Sequence, residues 1–176
     1  VEDIKAEMKD SKGDPPVEVT TSSKGVTLEI SGDFSFGSGS AEISPGLKKL
    51  LSEQIVPEIK NSIFQIEIAG HTDSDQLPQA YQKQFPSNWE LSTARSSAVV
   101  RNVIDRGVNP TRLVAAGFAD WVPRDRQDAG IALKTLDNQT VLNFNDTPEK
   151  KGRNRRIEIT FLKPAHHSTS YVGSDG

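Results

Sequence analysis

The sequence predicts an α+β domain: a mixed sheet of about four to five strands, with two main helices packed on one of its faces. Three observations carry this. Apolar and polar residues alternate in several short stretches, the period of a half-buried strand. Two longer runs repeat their apolar residues at helical spacing. The stretches follow the order β-β-α-β-α-β-β, so helices separate the later strands.

Residues 1–16 are charged and end in Gly13-Asp14-Pro15-Pro16, which reads as a linker or short N-terminal helix followed by a breaker. Val17 and Val19, then Val26, Leu28 and Ile30, alternate with polar residues on either side of Ser22-Ser23-Lys24-Gly25. This predicts a hairpin with one buried face. Phe34 and Phe36 lead into a flexible loop, Gly37-Ser38-Gly39-Ser40. Ser44 and Pro45 open the first helix as cap and first-turn proline. Its stripe is Leu47, Leu50, Leu51 and Ile55, and Pro57 is expected to kink or end it. Phe64, Ile66 and Ile68 form a strand that runs into Gly70-His71-Thr72-Asp73. A polar loop with Pro78 and Pro86 follows.

Ser87 and Glu90 have the spacing of a capping box. The second helix then carries Leu91, Ala94, Ala98, Val99 and Val103, with Gly107 at its stop. Leu113 to Phe118 is a short apolar strand. Residues 119–152 are polar and irregular, with a minor element at 141–144. Ile157, Ile159 and Phe161 mark the last strand, and residues 164–176 read as a flexible tail.

The chain has 176 residues, enough to bury a core without disulfides or metals. Lysine plus arginine is 21 and aspartate plus glutamate 24, a net charge of −3. That balance argues against nucleic acid as a partner. Cysteine is absent, which excludes disulfides, thiolate metal sites and cysteine catalysis. No apolar run approaches the roughly 18 residues of a membrane span. The opening Val1-Glu2-Asp3 has no initiator methionine and no signal-peptide pattern, and reads as a processed chain or an excised fragment.

Few residues offer chemistry. There is no Gly-x-Ser-x-Gly elbow for a nucleophilic serine. His71 stands alone in the domain and is expected to cap a strand end or bond locally; His166 and His167 lie in the tail without metal-ligand spacing. No cofactor and no metal are expected. The basic run Lys150, Lys151, Arg153, Arg155, Arg156 reads as a solvated strand entry whose arginines can meet an anion.

The most informative constellation is Asp73, just past a strand, together with Asn88, Leu91 and Arg95 on one helix face. Two readings stand side by side. A carboxylate and a guanidinium converging on one pocket suit a zwitterion, Asp73 taking an ammonium and Arg95 a carboxylate. Alternatively, an Asp73–Arg95 salt bridge only pins loop to helix. Arg95 is taken as an exposed helix position.

Four ordered blocks, Gly70-His71-Thr72-Asp73, Asn88-x-x-Leu91-Ser92-x-x-Arg95, Gly117-Phe118 and Asn154-Arg155-Arg156-Ile157-Glu158-Ile159, resemble the OmpA-like peptidoglycan-binding domain. The resemblance covers roughly residues 26–163. Within that family, Phe34–Ala41, Ser87–Ser92 and the long insert before Ser87 look like the flagellar motor stator proteins of the MotB type. The resemblance implies a domain at 17–163 with an insertion at 124–148, whose role as partner surface, lid or unstructured loop stays open. It also implies a wall-binding module without catalytic residues, with Asp73 and Arg95 holding the diaminopimelate of the stem peptide. Asn88 and Leu91 would line the pocket, Arg155 would add a second positive charge, and Thr72 would shape the loop.

By the same resemblance the partners are peptidoglycan, a second copy in a homodimer, and an ion-channel stator subunit reached through a membrane helix N-terminal to this chain. The location implied is the periplasm, as part of an inner-membrane protein. Other carriers of the domain are outer-membrane tethers and stator-like anti-phage defence units. The competing class is an enzyme acting on the wall.

Overall fold

The computed structural model describes residues 16–164. The expectations for a helix or linker at residues 1–15 and a tail at 165–176 lie outside the described residues. Five strands form one mixed sheet in the order β1-β2-β5-β3-β4. β1 (Val17–Thr21) and β2 (Gly25–Ser31) are the expected hairpin. β3 (Gln65–His71), β4 (Leu113–Gly117) and β5 (Arg156–Leu162) complete the sheet. β5 is antiparallel to both neighbours, whereas β3 and β4 run parallel, joined across the long helix α3 (Asn88–Asp105).

The register sorts the side chains. On one face, Leu28 lies opposite Ile159 and Ile159 opposite Ile68, with Ile30, Ile157 and Ile66 in adjoining rows. These residues join Leu47, Leu51, Ile55, Ile59, Val99 and Val103 in one buried core. On the other face, Thr27–Thr160–Glu67 and Ser31–Arg156–His71 are polar rows. Both main helices therefore share one face, as expected.

The helix opened by Ser44 behaves differently around its proline. It runs through Pro45–Leu50, a wider π-helical stretch Leu51–Ile55, and Val56–Lys60, together called α2. Pro57 does not end it. Proline lacks an N–H and crowds the carbonyl four residues back. The wider turn before it, where Val56 N–H donates to the Leu51 carbonyl, accommodates the ring without a break.

Short helices fill stretches read as loop. α1 (Gly32–Ser35) is capped by Ser31, α4 (Asn138–Asn143) by Asp137, and α5 (Pro148–Asn154) by Thr147. α4 spans the minor element expected around Val141, which is buried.

The seat of α3 positions the site. Gly70 and Gly117 are registered partners on β3 and β4. A Cβ on Gly70 would collide with the Ser92 carbonyl, and one on Gly117 with the side chain and backbone of Thr93. Neither glycine has a positive φ, so the requirement is space. The capping box at Ser87 and Glu90 starts the helix beside the strand ends.

Gly70→Ala is expected to destabilise the domain by about 1–3 kcal/mol through overpacking, measured by urea unfolding. Gly152→Ala, in α5 with no neighbour closer than 3.7 Å to the new Cβ, serves as the control and is expected to be neutral or stabilising, since alanine favours the helix.

Candidate functional site

Past β3 the chain turns through Thr72–Asp75 under close control. Thr72 N–H donates to the Ala119 carbonyl at 2.8 Å. Ala119 stands in the left-handed region, φ 50°. Its N–H donates to Ser92 Oγ at 3.1 Å, and that hydroxyl donates to the Trp89 carbonyl at 3.1 Å. Ser92 thus ties helix, β4 exit and loop together. Thr72 Oγ1 donates to the Asp73 carbonyl at 2.9 Å, and Asp73 Oδ1 accepts from Asp75 N–H at 2.9 Å. The second bond is an Asx-type turn that fixes the carboxylate. Asn88 Nδ2 donates to the carbonyls of Asp73 at 3.3 Å and Asp75 at 2.9 Å.

Above this loop lies a cavity of about 540 Å³. Thr72, Asp73, Asn88, Leu91, Arg95 and Arg155 all line it. The structure therefore brings together every residue singled out from the sequence. It adds Asp33, Phe36 and Asp75 to the wall.

Asp73 and Arg95 converge on one cavity, whereas the salt bridge of the alternative reading is not formed. Arg95 makes no ion pair with Asp73. Its Nε donates to the Ser40 carbonyl at 2.8 Å and its Nη2 to the Gly37 carbonyl at 3.2 Å. Its guanidinium lies 5.0 Å from the centre of the Phe36 ring, a cation–π contact. Arg95 is 7% exposed, not an exposed helix position, because Phe36 and the loop after it fold over the side chain. The glycine-serine loop read as flexible is anchored by this guanidinium. Burial lowers the Arg95 pKa to about 10, against the pull of Asp33 and Asp73, so the group stays charged at neutral pH.

Asp73 pairs instead with Arg155, Nη1 to Oδ2 at 2.6 Å. The same guanidinium forks onto Asp33, with Nε to Oδ1 at 2.9 Å and Nη2 to Oδ2 at 3.0 Å. The Asp33 bond raises the Arg155 pKa, and Asp73 adds to it over the opposing effect of burial. Arg155 is therefore balanced by two carboxylates and is not a spare positive charge. Asp33 was missed in the sequence. Its signal is weak: an acidic residue in the first turn of a four-residue helix capped by Ser31.

Residues 124–148, read from the sequence as an insertion, are held at Asn154. Its Oδ1 accepts from Arg124 N–H at 2.8 Å, and its Nδ2 donates to the Phe144 carbonyl and to Asn145 Oδ1, each at 2.9 Å. Asn145 Oδ1 also accepts from Ser74 N–H at 3.3 Å, linking this segment to the Asp73 loop. Arg124–Glu29 at 2.6 Å and Arg153–Asp125 at 2.5 Å pin the segment further.

His71 closes β3 on the polar face. It stacks on Phe118 with centroids 5.2 Å apart. Its Nε2 is 3.3 Å from Glu158 Oε2, within ion-pair range but without hydrogen-bond alignment. Burial and the neighbouring Arg156 lower the His71 pKa, against the pull of Glu158. Burial opposes ionisation of Glu158, but His71 and Arg156 outweigh it and hold that carboxyl well below its usual range.

A model of the OmpA family matches residues 35–135. The chain belongs to the OmpA family. An uncharacterised Bacillus subtilis protein, YtxE, is 31% identical over 141 residues, 80% of this chain and 49% of its own length. Motility protein B of Bacillus subtilis is 25% identical over 171 residues, 92% of this chain and 56% of that one. The chain thus spans about half the length of these relatives. A putative MotB-like protein from Desulfovibrio vulgaris superposes with a TM-score of 0.67 at 25% identity, over 84% of this chain and 81% of that one. The cell wall anchor of the T6SS from Pseudomonas aeruginosa gives 0.65 at 26% identity, over 92% and 93%. The periplasmic domain of Helicobacter pylori MotB shares the fold, with a TM-score of 0.65 over 89% of both chains. Among the described residues, no helix is long and apolar enough to cross a membrane.

A histidine whose folded pKa lies below its unfolded value near 6.5 binds fewer protons folded than unfolded in mild acid. Its contribution to stability falls as pH drops through that value. In chloride buffer, the urea midpoint is expected to fall between about pH 7.5 and pH 5.5, and His71→Leu to flatten that step. A further loss below about pH 4.5, where Glu158 gains its proton in the unfolded chain, is expected to remain.

Proposed function

We propose that the cavity binds the stem peptide of peptidoglycan, without catalysis, and so anchors a membrane-embedded machine to the cell wall. The observation that carries this reading is the convergence of the six family-motif side chains on one cavity. The ligand chemistry is that of diaminopimelate, an ammonium beside a carboxylate. Asp73 takes the ammonium. Each of its oxygens accepts one bond from the protein, and a carboxylate has about four acceptor sites, so capacity remains. Arg95 takes the carboxylate with Nη1, which makes no hydrogen bond among the described residues. Arg155 and Asp33 hold Asp73 in place, and Asn88 holds its loop.

The machine we infer is a flagellar stator unit, with this chain as its periplasmic part. The matches to motility protein B support that reading. In a homodimer, two such clamps raise residence on the wall through effective concentration, so a weak single site suffices. The similarity to the T6SS wall anchor, over nearly the whole of both chains, favours a second reading in which the same clamp serves another envelope machine.

Co-sedimentation with purified diaminopimelate-type sacculi tests the clamp. Asp73→Ala is expected to weaken binding about ten- to a hundredfold, the worth of one charge-assisted bond. Arg95→Ala would strip two loop carbonyls of their donor, so Arg95→Lys is the cleaner variant. It keeps the charge, loses the fork and is expected to bind several-fold more weakly with unchanged circular dichroism. Undiminished binding by both variants would sink the assignment. Release of soluble fragments from the sacculi would indicate an enzyme instead.

A further inference from the structure

The wall-binding cavity has a stretch of lining that the diaminopimelate contacts leave unused. Gln76, Leu77 and Pro78, from the polar loop between β3 and α3, belong to the lining. None of the three carries a charge, and two are apolar. Leu77 is half-buried and Pro78 is exposed. The charges of the cavity lie elsewhere and are mostly paired. Arg155 is held by Asp33 and Asp73, and Asp75 meets Lys151 of α5 at 3.0 Å. Arg95 has no carboxylate partner among the described residues.

The uncharged stretch is held in shape from both ends. Before it, the Asp75 carbonyl accepts from Asn88 Nδ2 at 2.9 Å. After it, Gln82 Nε2 donates to the Leu77 carbonyl at 2.8 Å, and Tyr81 N–H donates to the Pro78 carbonyl at 2.9 Å. The Tyr81 ring rests on Gly39, which also lines the cavity; a Cβ on that glycine would lie 2.8 Å from Tyr81 Cδ2. Phe85 N–H donates to the Tyr81 carbonyl at 3.0 Å, and the Phe85 side chain is buried. A wall fixed before binding loses little conformational entropy when a ligand meets it.

At about 540 Å³ the cavity is in the size range of pockets that enclose a whole small ligand. It has room for more than one ammonium and one carboxylate. In the stem peptide, diaminopimelate stands between D-glutamate and D-alanine. The D-glutamate carboxylate would need a cation of its own. Arg155 is occupied by two aspartates and Arg95 by the diaminopimelate carboxylate, so the lining offers none. A methyl group needs only apolar surface. We propose that Leu77 and Pro78 form a subsite for the methyl group of the D-alanine that follows diaminopimelate. This subsite rests on the wall-binding reading of the cavity and makes the loop between β3 and α3 a specificity wall.

The test is a pair of NMR titrations with soluble stem peptides. One is L-alanyl-γ-D-glutamyl-diaminopimelyl-D-alanine; the other ends in glycine instead. The two carry the same charges and differ by one methyl group. The D-alanine peptide is expected to bind about fourfold more tightly, the effect of one buried methyl-sized group. Leu77→Ser is expected to bring the D-alanine peptide down to the glycine peptide and to leave the glycine peptide unchanged, as a double-substitution cycle requires of a direct contact. Asp73→Ala is expected to weaken both peptides alike. Equal affinity of the unaltered protein for the two peptides, or equal weakening of both by Leu77→Ser, would overturn the subsite while leaving diaminopimelate binding in place. Binding of neither peptide would overturn the wall-binding reading and the subsite with it.

Discussion

The arrangement of the site depends on a steric constraint, the missing side chains at Gly70 and Gly117. Two registered glycines at the ends of β3 and β4 let the first turns of α3 rest against strand backbone. At ordinary helix–sheet distance Ser92 would not reach Ala119 N–H, and the loop carrying Asp73 would lose its link to the helix carrying Asn88, Leu91 and Arg95. Close packing of this kind tolerates little added volume, because protein interiors are already as dense as organic crystals.

On that seat, the two guanidiniums of the pocket do different work. Arg155 is shared between Asp33 and Asp73 and serves as an internal clamp, placing a carboxylate where a ligand can meet it. Arg95 uses part of its fork on the carbonyls of the loop after Phe36 and lies over that ring. Buried, it shapes the wall as well as charging it. Arg155 is neutralised by Asp33 and Asp73, so Arg95 is left as the cavity's guanidinium without a carboxylate partner among the described residues.

The opposite face of the sheet solves another problem. Charged and hydroxyl rows along β2, β5 and β3 need partners or water. Segment 124–148 provides one through Arg124, which pairs with Glu29 of β2, and is itself pinned by Arg153 on Asp125 and by Asn154 on Arg124 N–H. It is joined to the Asp73 loop through Asn145 and Ser74. Both faces thus meet at the strand ends: the apolar one through α3, the polar one through His71.

Much of the architecture was legible in the chain. Alternation placed four strands and a short apolar run the fifth, helical periodicity and two serine caps placed two helices, and Gly107 ended the second, because those signals are local. The candidate site was legible as a set of residues, since Asp73, Asn88, Leu91 and Arg95 lie within two adjacent elements. Thr147-Pro148 carried the same start signal as Ser44-Pro45, yet α5 escaped notice because it has no apolar stripe. What the sequence by itself determined was therefore the order of the strands and the two main helices, and six of the residues that line the pocket. Only the tertiary structure decided the pairing within it. Asp33 and Asp73 reach Arg155 across 122 and 82 residues of chain, and such partners are chosen by the sheet register and by burial, neither of which has a local period.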